Sequence, residues 1–389
     1  MSNTLFSLLQ INNRDDLRKV SKKIKIKVSI LEYYYENDII PTGKDLEKIL
    51  IYLNMSELEF NLRVGNYNNK VQQLINDNIL QLLKNNSKES KDIEKKREFV
   101  PIYNTKYGTL YNEDSLKLMT AFKSESFDLI FADPPFNLNK EYESEINDSI
   151  DKDKYLKWTY KWLEECIRLL KPGGSIFVWN LPKWNIYIAN YLGKFLNFRN
   201  WVAVDMKYGL PIKNRLYPAH YSLLYFVKGP SPNTFNNERI PLDVCNTCGH
   251  ELKDYGGYKN KMNPKGVNLS DVWHDIYPVR HKKYKNRKSN ELPIKLLDRI
   301  ISISTQEGDI IFDPFGGSGT TYVVAEILHR KWVGSEIGPV DQIIDRLSDT
   351  KNETELLKEI HKNKNKLFLP NIVKLRKKNG FWLPSDFTS

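Results

Sequence analysis

Cysteine is scarce in this chain. Cys166, Cys245 and Cys248 are the three present in 389 residues, which argues against a secreted fold built on disulfides. No apolar run approaches the ~20 residues of a membrane-spanning helix. The opening segment Met1-Ser2-Asn3-Thr4-Leu5-Phe6 lacks a basic stretch followed by a long apolar one, so no secretory signal is expected. Gly-Lys-Ser/Thr is missing too, and with it the phosphate-cradling loop of nucleoside triphosphatases. No internal repeat is visible. These absences leave a soluble, cytoplasmic protein without a membrane partner as the expectation.

Positive charge, by contrast, is in excess. Lys and Arg number 59 against 48 Asp and Glu, a formal net charge of +11, and the pI is about 9.1. Such a balance favours a polyanionic partner. With 22 Tyr and 8 Trp, the basic surface is expected to be interleaved with rings on which bases stack.

Residues 1–100 read as a polar, helical accessory region. Leu46, Ile49, Leu50, Leu53, Leu58 and Phe60 follow helical spacing, and 55–75 carries a faint helix-turn-helix pattern beside the plainer reading of a small bundle. From Val100 the pattern becomes alternating strands and helices. Strands are expected at 108–111, 127–132, 176–179, 201–207, 221–227, 310–312 and 332–334. Helices are expected at 115–122, 155–170, 184–195, 294–304 and 321–329, with Lys171-Pro172-Gly173-Gly174 as a stop signal after the second. This alternation implies βαβ units and a mostly parallel sheet ending in an antiparallel pair. The α/β region divides into a first half, 101–229, a polar insert, 230–288, and a second half, 289–345. Residues 346–389 read as a basic, low-complexity tail.

Two motifs carry chemistry. Asp133-Pro134-Pro135-Phe136 follows the apolar run 127–132. Neither proline can donate to a strand ladder and both fix φ near −65°. An acid, rigid carbonyls and a ring therefore stand at the carboxyl end of a strand, the edge where open α/β sheets bind ligands. The second motif, Asp313-Pro314-Phe315-Gly316-Gly317-Ser318-Gly319-Thr320-Thr321, lies between a strand and a helix. Its glycines allow a tight turn and close backbone approach to a ligand. Glu336, about 20 residues on and at the end of the next strand, stands where an acid hydrogen-bonds a ribose diol. A nucleoside with a non-phosphate tail suits this combination.

Together, Asp-Pro-Pro-Phe and Phe315-x-Gly317-x-Gly319 resemble the motifs of the DNA amino-methyltransferases that use S-adenosylmethionine. The order, catalytic motif first and cofactor motif last with an irregular segment between, resembles the β group of that family. The resemblance covers about 101–345. It implies an α/β fold: a permuted Rossmann-like methyltransferase sheet with an inserted target-recognition region and a helical N-terminal extension. It implies that Asp133, Pro134, Pro135 and Phe136 hold the target base, and that Asp313, Phe315, Gly317, Gly319, Thr320, Glu336 and Asp114 bind the cofactor. Asp114 resembles the acid facing the cofactor adenine and is equally suited to cap the helix it precedes. Asp313 resembles the acid near the methionine moiety. Asn290-Glu291-Leu292-Pro293 resembles the segment that closes over that moiety, with Leu292 where the family usually has Lys. Asp before the two prolines is the family's usual mark of adenine. The expected activity is therefore N6-adenine methylation of double-stranded DNA with base flipping, in a restriction-modification system with a cognate restriction endonuclease as a partner. Cytosine-N4 methylation, methylation of RNA or a protein amide, and a non-catalytic DNA-binding module are the alternatives. The RNA and protein-amide families usually have Asn in place of Asp133.

The insert is expected to read DNA. Arg280, Lys282, Lys283, Lys285, Arg287 and Lys288 occur there without an acid, interleaved with Tyr277 and Tyr284, a composition suited to phosphate contacts. Cys245-Asn246-Thr247-Cys248-Gly249-His250 is half of a zinc knuckle. No second cysteine pair completes it, so zinc and a pair of free thiols in a tight turn both remain open.

Overall fold

The structure is a computed structural model that describes residues 4–37, 39–64, 78, 99–137, 150–205, 213–214, 216–254, 256–279 and 291–387. In chain order the strands are β1 (Tyr103–Asn104), β2 (Gly108–Tyr111), β3 (Phe127–Ala132), β4 (Leu170–Asn180), β5 (Asn197–Asp205), β6 (His220–Val227), β7 (Arg239–Ile240), β8 (Val267–Asn268), β9 (Val272–Trp273), β10 (Ile310–Asp313) and β11 (Lys331–Ser335). Among the described residues the main sheet runs β1-β2-β11-β10-β3-β4-β6-β5-β9. The stretch from β2 to β4 is parallel throughout, with Gly334 opposite Leu110 and Ile311 opposite Leu129. β6 then pairs antiparallel with both β4 and β5. The expected parallel sheet ending in an antiparallel pair is therefore present, and β9 from the insert extends it along β5.

Period-two alternation divides the core in two. Leu129, Phe131, Phe177, Trp179 and Ile311 face one side, where they meet α9 (Ile294–Ser304), α10 (Thr320–Ile327) and α11 (Asp341–Ser348). Ile130, Ala132, Ile176, Val178 and Phe312 face the other, under α6 (Ser115–Met119), α7 (Lys152–Leu169) and α8 (Pro182–Leu192). Helix α10 follows β10 on the first face and α7 follows β3 on the second. Their loops part at the carboxyl ends of two adjacent strands, which opens a crevice at the switch point of the sheet.

Two elements carry more than was expected of them. Helix α7 ends at Leu169 and runs directly into β4, so Lys171-Pro172-Gly173-Gly174 forms no separate turn. These residues sit in an irregularity of the ladder, where the register shifts between Phe127 and Leu129, and Gly173 N–H bonds the Lys228 carbonyl at 2.7 Å. The helix stops where expected, at Leu169, and the proline and glycine that follow also form a bulge in the ladder. The region expected as a tail is also helical, in α11, α12 (Lys351–Lys362) and α13 (Pro370–Lys378). Leu357 joins the main core, while Leu367, Phe368 and Ile372 join Leu242, Val244 and Val267 of the insert in a small core of their own. Lysine and asparagine on the wet faces hide this pattern in the sequence.

Charge also binds the insert to the second half. Asp275 and Glu238 of the insert approach Arg299 of α9, with Asp275 bonded bidentately at 2.9 and 2.7 Å. Lys364 reaches both Glu238 (3.4 Å) and the fully buried Asp298 (2.7 Å). The Cys245–Cys248 turn bonds to the C-terminal region: Asn379 donates to the Cys248 carbonyl at 2.9 Å and Arg376 to the Gly249 carbonyl at 2.5 Å. Hydrogen bonds from the backbone of Cys248 and Thr247 draw the Cys245 thiol down to about 7. Among the described residues no cluster of three or more His, Cys, Asp or Glu is disposed to hold a metal ion.

The N-terminal helices α1 (Thr4–Leu8), α2 (Arg14–Ile24), α3 (Val28–Glu36), α4 (Gly43–Leu53) and α5 (Glu57–Val64) surround Leu9, Val20, Leu31, Ile49 and Phe60. Residues 65–77, the remainder of the helix-turn-helix pattern, lie outside the described residues. The bundle docks through Ile40 N–H to the Lys194 carbonyl (2.8 Å) and Lys44 to Glu125 (3.9 Å). Glu125 precedes β3 and Lys194 precedes β5, so the bundle sits at the amino ends of these strands, opposite the crevice. No helix among the described residues is long and apolar enough to cross a membrane.

Candidate active site at the carboxyl edge of the sheet

The strand order β2-β11-β10-β3 places Asp114, Glu336, the Asp313–Thr320 loop and Asp133 on four neighbouring strand ends that point the same way. Three inter-strand spacings of about 4.8 Å spread these groups across roughly 14 Å. That span suits an elongated ligand lying across the strand tops with its far end at Asp133.

The corner at Asp133 is stiffened from two helices. Tyr155, in the first turn of α7, donates to the Pro135 carbonyl at 2.7 Å, and Trp184, near the start of α8, donates to the Phe136 carbonyl at 2.6 Å. The two rings pack at 4.6 Å. Asn180 at the end of β4 reaches Tyr155 Oη at 3.4 Å. Asn137, with φ of 52°, closes the corner by exchanging side-chain bonds with the Ile150 backbone at 2.8 and 2.9 Å. Phe136 is half-buried, its ring 6.4 Å from Tyr221. The two downstream carbonyls are thus occupied by pinning bonds, with Asp133 half-buried and Pro134 buried just upstream of them. Tyr155 and Trp184 were not legible as site residues, because their partners are backbone carbonyls far away in sequence.

The glycine loop is held as firmly. Gly317 and Gly319 have φ of 56° and 75°, values that disfavour residues with a Cβ. A Cβ on Gly319 would lie 2.7 Å from Ile343 Cγ2. Glu336 accepts from Gly317 N–H at 2.6 Å and from Gly338 N–H at 2.7 Å, while its own carbonyl accepts from Asn112 at 2.7 Å. The acid expected at a ribose therefore also fastens the loop. Tyr322 Oη lies 3.0 Å from the Asp313 carbonyl and accepts from Ser335 N–H at 3.1 Å, stitching β10 to β11. Phe315 packs on Trp158 and Trp162 at 5.8 and 5.3 Å. Asp114 caps α6 through Lys117 N–H at 3.2 Å, so its capping role is real. Glu291-Leu292-Pro293 lies against the loop, with Thr320 donating to the Leu292 carbonyl at 3.3 Å. Arg280, Lys282, Lys283, Lys285, Arg287 and Lys288 lie outside the described residues.

Asp313 is 2 % exposed. Burial pushes its carboxyl up to about 7, and the charge of Glu336 adds to this, while neutral donors, the Thr321 side chain and Phe315 N–H, pull the other way. Asp313 is thus a buried acid served by neutral donors at the start of the glycine loop.

The DNA methylase family profile for N6 and N4 amino-methylation matches residues 127–345. The chain belongs to this family. As an N6/N4 DNA methylase it is a DNA methyltransferase, and S-adenosylmethionine is its methyl donor. It is 53% identical over 376 residues to type II methyltransferase M.BamHI of Bacillus amyloliquefaciens, covering 96% of this chain and 89% of that one. It is 32% identical over 234 residues to the DNA adenine methyltransferase YhdJ of Escherichia coli strain K12, covering 59% and 78%. Among solved structures, the cytosine-N4-specific PvuII DNA methyltransferase aligns with a TM-score of 0.49 at 23% identity, covering 68% of this chain and 95% of that one.

The residues present in this methylase fit the cofactor. A permanently cationic sulfonium suits the buried Asp313, and the loop offers backbone without the lysine a phosphate would call for. The fit has a pH signature. Because the folded Asp313 sits above its ordinary value of about 3.9, it disfavours the empty folded state increasingly as pH rises from about 4 to about 7, and no further above that. A cationic ligand reverses the preference by favouring the carboxylate. Affinity for S-adenosylmethionine is expected to fall as pH drops from 8 to 6, by up to about tenfold per unit below the midpoint. Calorimetric titration of wild type and Asp313→Asn tests this: the variant should bind weakly with a flat profile, and an unchanged slope would refute the assignment.

Proposed function

We propose that the protein methylates the N6 amine of an adenine flipped out of duplex DNA, with Asp133 and Pro134 holding the amine. The observation that supports this reading most directly is the placement of the pinned Asp-Pro-Pro corner on the strand next to the glycine loop.

An exocyclic amine is a poor nucleophile because its lone pair is delocalised into the base. The Asp133 carboxylate and the Pro134 carbonyl are both acceptors, and each takes one of the two amine hydrogens. Two acceptors in fixed positions draw the nitrogen towards a tetrahedral shape and direct its lone pair at the neighbouring strand end. Bound S-adenosylmethionine supplies an electrophilic methyl group there. Phe136 gives the extruded base a face to stack on. Asp313, the loop from Phe315 to Thr320, Glu336 and Asp114 form the cofactor side. Arg280, Lys282, Lys283, Lys285, Arg287 and Lys288 contact the duplex backbone, adding strong salt dependence. Asp at position 133 favours adenine over cytosine, and the identity shared with a type II relative makes a cognate endonuclease the natural partner.

Digesting DNA methylated by the purified protein to nucleosides decides the base. N6-methyladenine is the expected product, and N4-methylcytosine alone would overturn the adenine assignment while leaving the mechanism at Asp133 intact.

A further inference from the structure

The family match stops at residue 345, and the next residue is a buried arginine. Arg346 sits in α11 with its side chain 5% exposed. Its Nη1 donates to the Ser318 carbonyl at 2.7 Å and lies 3.2 Å from Thr320 Oγ1, so it grips the turn of the glycine loop from behind. The same nitrogen lies 3.5 Å from Glu291, and Thr320 in turn donates to the Leu292 carbonyl at 3.3 Å. One guanidinium thus ties the loop to the segment 291–293 across from it. Its Nε is anchored at 3.2 Å by Glu353 of α12, itself buried. The planar fork makes this possible: separate N–H groups reach separate partners in fixed directions.

We propose that Arg346 is a positioning residue for S-adenosylmethionine, held by Glu353, and that the methyl-donor site therefore extends into the C-terminal helices beyond the family core. It sets the Ser318–Gly319 peptide and holds the two walls of the site at a fixed separation. The proposal rests on the loop being the cofactor site.

The test compares Arg346→Met, Arg346→Lys, Glu353→Gln and Gly319→Val, each in the full-length protein. Arg346→Met should raise KM for S-adenosylmethionine on the order of tenfold to a hundredfold, with kcat at saturating cofactor and KM for DNA within about twofold of wild type. Arg346→Lys keeps the charge but reaches only one partner, so its KM should fall between the two. Glu353→Gln keeps size and an acceptor, folds as wild type by thermal melting, and should show a smaller rise confined to the same parameter. It keeps the test alive if Arg346→Met does not fold. Gly319→Val separates the two layers of the reading. If it binds S-adenosylmethionine normally, the loop is not the cofactor site. If it loses binding while the Arg346 and Glu353 variants retain wild-type KM for the cofactor, the loop assignment stands and the role of Arg346 is refuted.

Discussion

Asp133→Ala is expected to lower methyl transfer by about 10²–10³-fold or more, the scale seen when one preorganised polar group is removed from a reacting centre, with S-adenosylmethionine bound as tightly as by wild type. The separation follows from position. Asp133 ends β3, whereas the Asp313 loop and Glu336 end β10 and β11. The corner is pinned through its backbone: Tyr155 and Trp184 hold the carbonyls of Pro135 and Phe136. Alanine should therefore leave the corner standing and remove one of the two acceptors for the amine. Asp133→Asn, which retains one oxygen but turns an N–H₂ towards the amine, should also be severely impaired. Single-turnover transfer of a labelled methyl group, beside calorimetric cofactor binding, measures both halves. Transfer within a few-fold of wild type in the alanine variant would remove the acid from the mechanism.

Arg376→Met should destabilise the C-terminal region by about 3–5 kcal/mol, the usual cost of breaking a buried ion pair from one side. Arg376 is fully buried. It donates to the Gly249 carbonyl at 2.5 Å and to the Trp382 carbonyl at 3.0 and 2.9 Å, approaches Glu251 at 3.3 Å, and lies over the Phe368 ring at 4.3 Å. Trp382 Nε1 also bonds Glu251. Burial alone would raise the Glu251 carboxyl, but backbone, Arg376 and Trp382 bonds overcome it and bring it down to about 2. A depressed carboxylate contributes stability above its ordinary value of about 4.3 that is lost as pH falls towards 2. In the methionine variant that contribution should largely vanish at neutral pH, leaving a flatter acid limb. Thermal melts at several pH values would show it, and a melting temperature within about 1 °C of wild type at pH 7, where 1 kcal/mol is worth about 1 °C in a chain of this length, would refute the assigned role. Cofactor binding should survive, because Arg346 holds the loop from α11.

How much of this was legible in the sequence depended on how local each signal was. Asp133 and Asp313 each follow an apolar run that reads as a buried strand, and the prolines and glycines after them mark a turn. The alternation between 100 and 345 gave the sheet, its parallel half and its antiparallel end. What stayed hidden is non-local. Tyr155, Trp184 and Arg346 act on backbone carbonyls in other segments, and no spacing rule reports such a bond. The helices after 350 were masked because Lys351, Lys358, Lys362 and Lys374 dominate the composition, while Leu357, Leu367, Phe368 and Ile372 bury few but sufficient apolar groups. Lys171-Pro172-Gly173-Gly174 marked the end of the helix correctly but not the bulge that follows it, because a bulge and a helix stop ask for the same residue types.

The sheet order also dictates when the fold can close during synthesis. β2 and β3 leave the ribosome early, but the strands that separate them, β11 and β10, begin only at residue 310. From residue 132 to residue 310, at roughly 5–20 residues per second, the gap lasts on the order of 10–35 s. Through that interval one edge of β3, an almost wholly apolar strand, has no partner of its own, and strand edges of that kind recruit other chains. Chains stalled or cut between these two points are therefore expected to aggregate, and slowing initiation to dilute nascent copies should raise the yield of folded protein.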